Sequence, residues 1–194
     1  LMGKGENFER KISRDLSLWF SNGKRDDIYW RNRNRSRQIN SKYQLGDIVC
    51  EVSEGEDLTK LFSIEIKSGY SKTKKGKIVK NIPWDLLDII DFIEHKDKLI
   101  YLSQIEKFWN QTSRDAKLSK REPLLIFKRD FHSPSVMMKR SMYKKLVKYS
   151  GIYKNNYLML FLGGYFYVIM RLEHFFNWVN PETIKLIVKT IEED

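Results

Sequence analysis

Asp47, Glu65 and Lys67 are the residues of this chain whose types and spacing could do chemistry together. Gly46-Asp47 opens one hydrophobic run, and eighteen positions after that aspartate Glu65-Ile66-Lys67 closes another. On a strand, side chains two apart share a face, so Glu65 and Lys67 point together while Ile64 and Ile66 point away. If the Asp47 segment lies alongside, two carboxylates and an ammonium converge. That inventory suits a divalent metal and an activated water.

The elements around these residues decide whether they can meet. The run Asp47 to Val52 has the alternation and β-branched content of a strand, and Leu61 to Lys67 reads as a second strand, hairpin-paired with the first across an acidic turn from Ser53 to Lys60. Upstream, Phe8, Ile12, Leu16, Trp19 and Phe20 lie at helical spacing, which predicts a helix over 5–20 with one buried stripe. A short strand is expected around Ile28 to Arg31. Downstream, Pro83 starts a helix with Leu86, Leu87, Ile89, Ile90 and Ile93 on its apolar face. A further helix is expected over 103–119 and a buried strand over Pro123 to Phe127. The interleaving of Val136, Met137, Met138, Met142, Leu146 and Val147 with Lys and Arg predicts a basic amphipathic helix from Ser135 to Tyr149, its methionines in the core. Residues 156–172 read as two strands joined at Gly163-Gly164, and Pro181 can start a final helix. The expected fold class is α/β (α+β), a mixed sheet flanked by helices in the order αβββαβ with a C-terminal hairpin and helix. A chain of 194 residues suits one domain, with its core over about 4–130 and an extension over 131–194.

The charge narrows the partners. The formal net charge is +11, and it is uneven: four Lys or Arg against five Asp or Glu from Gly151 onward, 32 against 20 before it. A basic N-terminal portion favours a polyanion such as nucleic acid. The lone Cys50 excludes an internal disulfide and, with no cysteine pair or His cluster, a zinc site; this fits a reducing cytoplasm. His95, His132 and His174 are scattered without metal-ligand spacing, which argues against a histidine-metal nuclease. The longest apolar stretch, Tyr157 to Met170, is broken by glycines and short for a membrane span, and no cleavable signal pattern is expected from the charged residues 3–11.

Lys4-Gly5 followed by Glu9-Arg10 in the first helix, Gly46-Asp47, and Glu65-Ile66-Lys67 resemble, in that order, the core motifs of the PD-(D/E)xK nuclease superfamily. Within it they are similar to the Holliday-junction resolvases of archaea and their phage-encoded relatives. The likeness covers about Lys4 to Arg129, and Phe108-Trp109-Asn110-Gln111 before the strand at Pro123 to Phe127 is similar to phage members of the group. The superfamily's name places a proline before the aspartate; here Gly46 stands there, as it often does in resolvases.

The resemblance implies roles. Asp47 and Glu65, with the backbone carbonyl of Ile66 and with Glu9 as an additional ligand or metal-water contact, would hold Mg²⁺, for which Mn²⁺ substitutes. Lys67 would orient or help deprotonate the attacking water and offset charge in the transition state; otherwise it is a solvated lysine pairing with Glu65. Gln111 would orient a water or phosphate, or remain an exposed helix glutamine. Arg10 is a phosphate contact or a surface charge. The basic loop Arg31, Arg33, Arg35, Ser36 and Arg37, in which Ser36 is the candidate for a hydroxyl found in such enzymes, and the glycine-bearing loop with Lys72, Lys74, Lys75 and Lys77 would grip DNA phosphates on either side of the site. The activity expected is resolution of four-way junctions by a homodimer acting on branched DNA in the host cytoplasm, with no membrane. A restriction- or repair-type nuclease on duplex DNA, and a non-catalytic basic DNA-binding protein, are the alternatives.

Overall fold

A computed structural model of the chain describes residues 4–32, 45–69, 73–74, 77–78, 104–129 and 131–193. The first helix, α1 (Lys4–Phe20), buries the stripe read from its spacing, with Phe8, Ile12, Leu16 and Phe20 all in the core. Each such side chain contributes roughly 1.5–3 kcal/mol of burial. The helix is fastened at both ends of the chain. Ser17 Oγ accepts the Tyr29 backbone N–H at 2.9 Å, and the Trp19 indole N–H donates to the carbonyls of Phe176 (3.1 Å) and Val179 (2.9 Å) while stacking on the Phe176 ring.

Strand β1 (Tyr29–Arg31) pairs antiparallel with β2 (Ile48–Cys50), Arg31 opposite Ile48. The expected hairpin between β2 and the next strand does not form. The segment from Ser53 is a 3-10 turn followed by α2 (Glu56–Leu61), which buries Leu58 and Leu61 and leads into β3 (Phe62–Gly69). Glu56 and Asp57 in its first turn complement the helix dipole. Leu61 therefore ends a helix rather than opening a strand. Beyond β3, the lysine-rich stretch read as a loop contains a short antiparallel hairpin, β4 (Thr73–Lys74) with β5 (Lys77–Ile78). The helix expected from Pro83 to Ile93 lies outside the described residues.

Helix α3 (Gln104–Ser119) carries the chain back to β6 (Glu122–Arg129), which runs parallel to β3 with Glu65 opposite Leu125 and Lys67 opposite Phe127. The next segment corrects the sequence reading. Ser135–Lys139 is a strand, β7, not the first part of a helix, and only Arg140–Ser150 is helical (α4). Val136, Met137 and Met138 are all buried because β7 lies inside the sheet with both faces covered. Strands β8 (Leu158–Leu162) and β9 (Tyr165–Arg171) form the expected hairpin, with Gly163 and Gly164 at φ of 57° and 85° in the turn. Two helices follow, α5 (Leu172–Trp178), which the sequence reading lacked, and α6 (Pro181–Glu193).

The principal sheet runs β3-β6-β7-β9-β8, with β3 and β6 the parallel pair. The fold class is thus mixed α/β with a five-stranded mixed sheet flanked by helices. Ile64, Ile66, Leu124, Ile126, Val136, Met138, Val168 and Met170 pack on one face with α1 and the C-terminal helices. Leu125, Met137 and Tyr167 pack on the other with Ile105 and Trp109 of α3. The region after Asp130, expected to be an extension, supplies three of the five strands and much of the larger core. No helix among the described residues is long and apolar enough to cross a membrane.

Candidate active site

The β3 alternation that buries Ile64 and Ile66 against α1 turns Glu65 and Lys67 toward α3, so the two charges share a face by geometry. Asp47 reaches them through backbone contacts. Its N–H donates to the Ile64 carbonyl at 2.7 Å, and its Oδ2 accepts the Ile66 N–H at 2.7 Å. In a strand the N–H and C=O of one residue point the same way, so the Ile66 carbonyl also lies on the Asp47 side. The Asp47 carboxylate thus lies along the edge of β3 at Ile66, while Glu65 stands on the face of the same strand that looks toward α3.

Gly46 permits this approach. Its φ is +96°, and a Cβ built there would lie 2.8 Å from the Ile64 carbonyl oxygen and 3.2 Å from the Ile64 nitrogen. Proline, locked near −65°, cannot take that conformation, which accounts physically for glycine standing before Asp47. Asn32 holds the same turn from the β1 side, its N–H on the Asp47 carbonyl (2.7 Å) and its Nδ2 on the Gly46 carbonyl (3.0 Å). Arg121 holds it from below. Its buried guanidinium donates to the carbonyls of Leu45 (2.6 Å), Thr59 (2.8 Å) and Phe62 (3.2 Å), tying the residue before Gly46 to the junction of α2 and β3.

Asp47 and Glu65 are almost fully enclosed, at 2% and 1% exposure. Burying a carboxylate is costly unless it is hydrogen-bonded or paired, and both are. Glu65 Oε1 accepts from Lys67 Nζ and, at 2.7 Å, from Gln111 Nε2. Lys67 is itself 17% exposed and sits 5.9 Å from the centroid of the Phe108 ring on α3. So Gln111, read as a residue for a water or phosphate, is placed on Glu65.

Glu9 has a different partner. Arg31, in β1, donates to Glu9 and makes an ion pair with Glu6 at 3.0 Å. The Glu9 hydrogen bond, set against the cost of burial, holds the Arg31 guanidinium above its ordinary pKa. Among the described residues no group of three or more His, Cys, Asp or Glu side chains is placed to hold a metal. Arg31, expected both to end a short strand and to begin the basic loop, closes β1 and is engaged by two carboxylates. Arg10 is exposed on α1. Arg33, Arg35, Ser36, Arg37, Lys72 and Lys75 lie outside the described residues, while Lys74 and Lys77 fall on β4 and β5.

Asn32 and Arg121 were not singled out in the sequence. Asn32 was hidden inside the Arg-Asn repeat, and Arg121 makes contacts across separations of 59 to 76 residues that no local pattern records.

A family model described as "Phage putative PDDEXK endonuclease" matches residues 93–186. The match supports the PD-(D/E)xK superfamily. It spans just under half of the chain, from before α3 to within α6, and begins after Lys67, so it includes Gln111 but not Asp47, Glu65 or Lys67. The PD-(D/E)xK reading of the N-terminal part stands on the arrangement around Ile66. No curated protein and no solved structure matches the chain.

Proposed function

We propose that the protein is a metal-dependent endodeoxyribonuclease of the PD-(D/E)xK type that cuts branched DNA, acting on four-way junctions as a two-fold homodimer. The observation that supports this reading is the Asp47 carboxylate bonded to the Ile66 N–H of β3, the strand on which Glu65 and Lys67 are paired. Asp47, Glu65 and the Ile66 carbonyl are hard oxygen donors, two of them anionic. A site of one or two carboxylates that leaves room for waters suits Mg²⁺, and Mn²⁺ by the same donor chemistry. Bound there, the ion would supply Lewis acidity and a more acidic water.

The chain's own groups do the rest. Asp47, bonded to the Ile66 N–H, and Glu65, on the face of the same strand, would fix where the phosphate comes in. Gln111 and Lys67 share one oxygen of Glu65, which sets that carboxylate's orientation. Lys67, on the same face as Glu65, brings a positive charge to the place where the phosphorane-like transition state gains negative charge and orients the attacking water. Arg31 holds Glu9 against β1. The net charge of +11 draws in a polyanionic substrate, and contacts to phosphates favour recognition of shape over base sequence. Paired nicks on opposed strands need two sites related by a two-fold axis.

The test is cleavage of a labelled four-way junction and its matching linear duplex with Mg²⁺, by the native chain and by Asp47→Asn. The expected result is preferential cutting of the junction and a loss of at least about 100-fold in rate for the variant. Equal cutting of both substrates would refute the junction assignment, and a wild-type rate for Asp47→Asn would refute the site.

A further inference from the structure

We infer that Phe131, in the turn between β6 and β7, is a base-stacking wedge that enters the DNA beside the cleavage site. The inference rests on the nuclease reading above and goes beyond it. Phe131 is 105% exposed and has φ of 65°. Its turn is closed by the His132 N–H on the Arg129 carbonyl at 3.1 Å, which puts Phe131 at the third position, where a positive φ calls for glycine or asparagine. A bulky aromatic there is an outlier, and neither packing nor backbone preference accounts for it.

Its location supplies the reason. Strand β6 lies directly beside β3 and runs the same way, with Lys67 opposite Phe127 and Gly69 opposite Arg129. The turn therefore leaves the sheet at the edge where β3 ends, just past Lys67. Phe131 is four positions beyond Phe127, so the ring stands within about 13 Å of the Lys67 level along the strand. At 3.4 Å per nucleotide along a strand, that is a reach of about four nucleotides.

The surroundings choose the occupant. Lys128 and Arg129 precede the ring, and Arg171, on the strand paired with β7, donates to the Ser133 carbonyl at 3.3 Å. A second protein or a lipid surface is fitted by a contiguous apolar patch. Phe131 is instead a single flat ring beside Arg129, His132 and Ser133, all exposed. A lone exposed aromatic with the exposed Arg129 and Arg171 at the same turn matches a nucleobase, whose π-face it can stack on while the arginines hold adjacent phosphates. Inserted at a step, such a side chain unstacks and kinks the duplex, and a branch point or an already unpaired base lowers that cost.

The experiment is fluorescence anisotropy with a labelled four-way junction and its matching duplex, using the full chain carrying Asp47→Asn to prevent cleavage, with and without Phe131→Ala or Phe131→Trp. In parallel, 2-aminopurine is placed one to six nucleotides from the cut phosphate. Phe131→Ala is expected to weaken binding roughly 5- to 140-fold, with Phe131→Trp within about twofold of Phe131 and the melting temperature of both undiminished. The 2-aminopurine emission is expected to change on binding near the fourth nucleotide, and not with Phe131→Ala. Equal affinity and an equal fluorescence response for Phe131→Ala would overturn the wedge while leaving the nuclease reading intact. An affinity loss shared by Phe131→Trp would overturn stacking. Absence of DNA binding in every form would overturn the wedge and the nuclease reading together.

Discussion

Replacing Gly46 by alanine separates two costs that the structure places at one residue. The first is conformational: at φ +96° an L-residue is disfavoured by roughly 1–2 kcal/mol. The second is contact. The added methyl would stand 2.8 Å from the Ile64 carbonyl oxygen, a backbone atom that cannot swing aside, so β2 must move off β3. That movement loosens the Asp47 N–H bond to Ile64, with a net contribution of about 0.5–1.5 kcal/mol, and the bond from Ile66 to the Asp47 carboxylate, about 1.5–3 kcal/mol because one partner is charged. The expected total is about 3–6 kcal/mol, a large fraction of the stability of a typical domain. Gly23 is the internal control. It also has positive φ, +81°, but a Cβ there meets nothing within 4 Å, so Gly23→Ala should show the first cost alone. Urea denaturation followed by far-UV circular dichroism gives both values, and metal-dependent cleavage is measured on the same samples. Gly46→Ala should exceed Gly23→Ala by about 2–4 kcal/mol and lose cleavage, whereas Gly23→Ala should retain it. If the two variants cost the same within about 0.5 kcal/mol, or if Gly46→Ala cuts at the native rate, the close approach does not hold Asp47 in place.

Arg121→Met removes a buried donor from the carbonyls of Leu45, Thr59 and Phe62 and should cost about 3–5 kcal/mol by denaturant unfolding, with Arg121→Lys recovering part of the loss; a cost below about 1 kcal/mol would mean these contacts are replaced by water. Cys50 gives a prediction in pH. Burial, its largest influence, raises the thiol above its ordinary pKa, so between the unfolded value, about 8.5, and the higher folded value the folded chain keeps a proton that the unfolded chain has lost. This group's contribution is therefore fully present below about pH 8.5 and declines as pH rises through the folded pKa. Urea midpoints from pH 7 to 10 should fall more steeply for the native chain than for Cys50→Ala, and parallel slopes would contradict the assignment.

Much of this arrangement was legible from local pattern, because the elements that build it have clear periods. The stripe from Phe8 to Phe20 and the alternation around Glu65 each repeat often enough to declare a helix and a strand, and together they place Glu65 and Lys67 on one face. Where the period was short or mixed, reading failed. Helix α2 has two buried leucines in six residues, too few for a helical repeat to show above the acidic composition around it. In β7, Val136, Met137 and Met138 are buried on both faces, so strand alternation vanishes, and the run merged with Met142 and Leu146 of the following helix into one false amphipathic pattern. The pairing of β2 with β1, rather than with β3, depends on α2 intervening and was lost with it. Arg121 and Asn32 were beyond reach for a different reason: a buried polar residue bridging distant carbonyls has no signature in its neighbours.

The indole of Trp19 gives the fold an order of completion. Its two acceptors, Phe176 and Val179, stand 157 and 160 residues later in the chain, so the helix that carries Glu9 gains this anchor only after that whole intervening stretch has been made. Contacts of such separation close late because the intervening loop must first lose its freedom. A chain interrupted before Phe176 would already carry Asp47, Glu65, Lys67 and the basic segments, yet its first helix would lack the fastening that sets Glu9 and Arg31 against the β1–β2 ribbon. Such a shortened chain would keep its basic charge while its first helix is less firmly held. Residues 176–179 thus time the final fixing of α1, long after the segments that carry Asp47, Glu65 and Lys67 have been made.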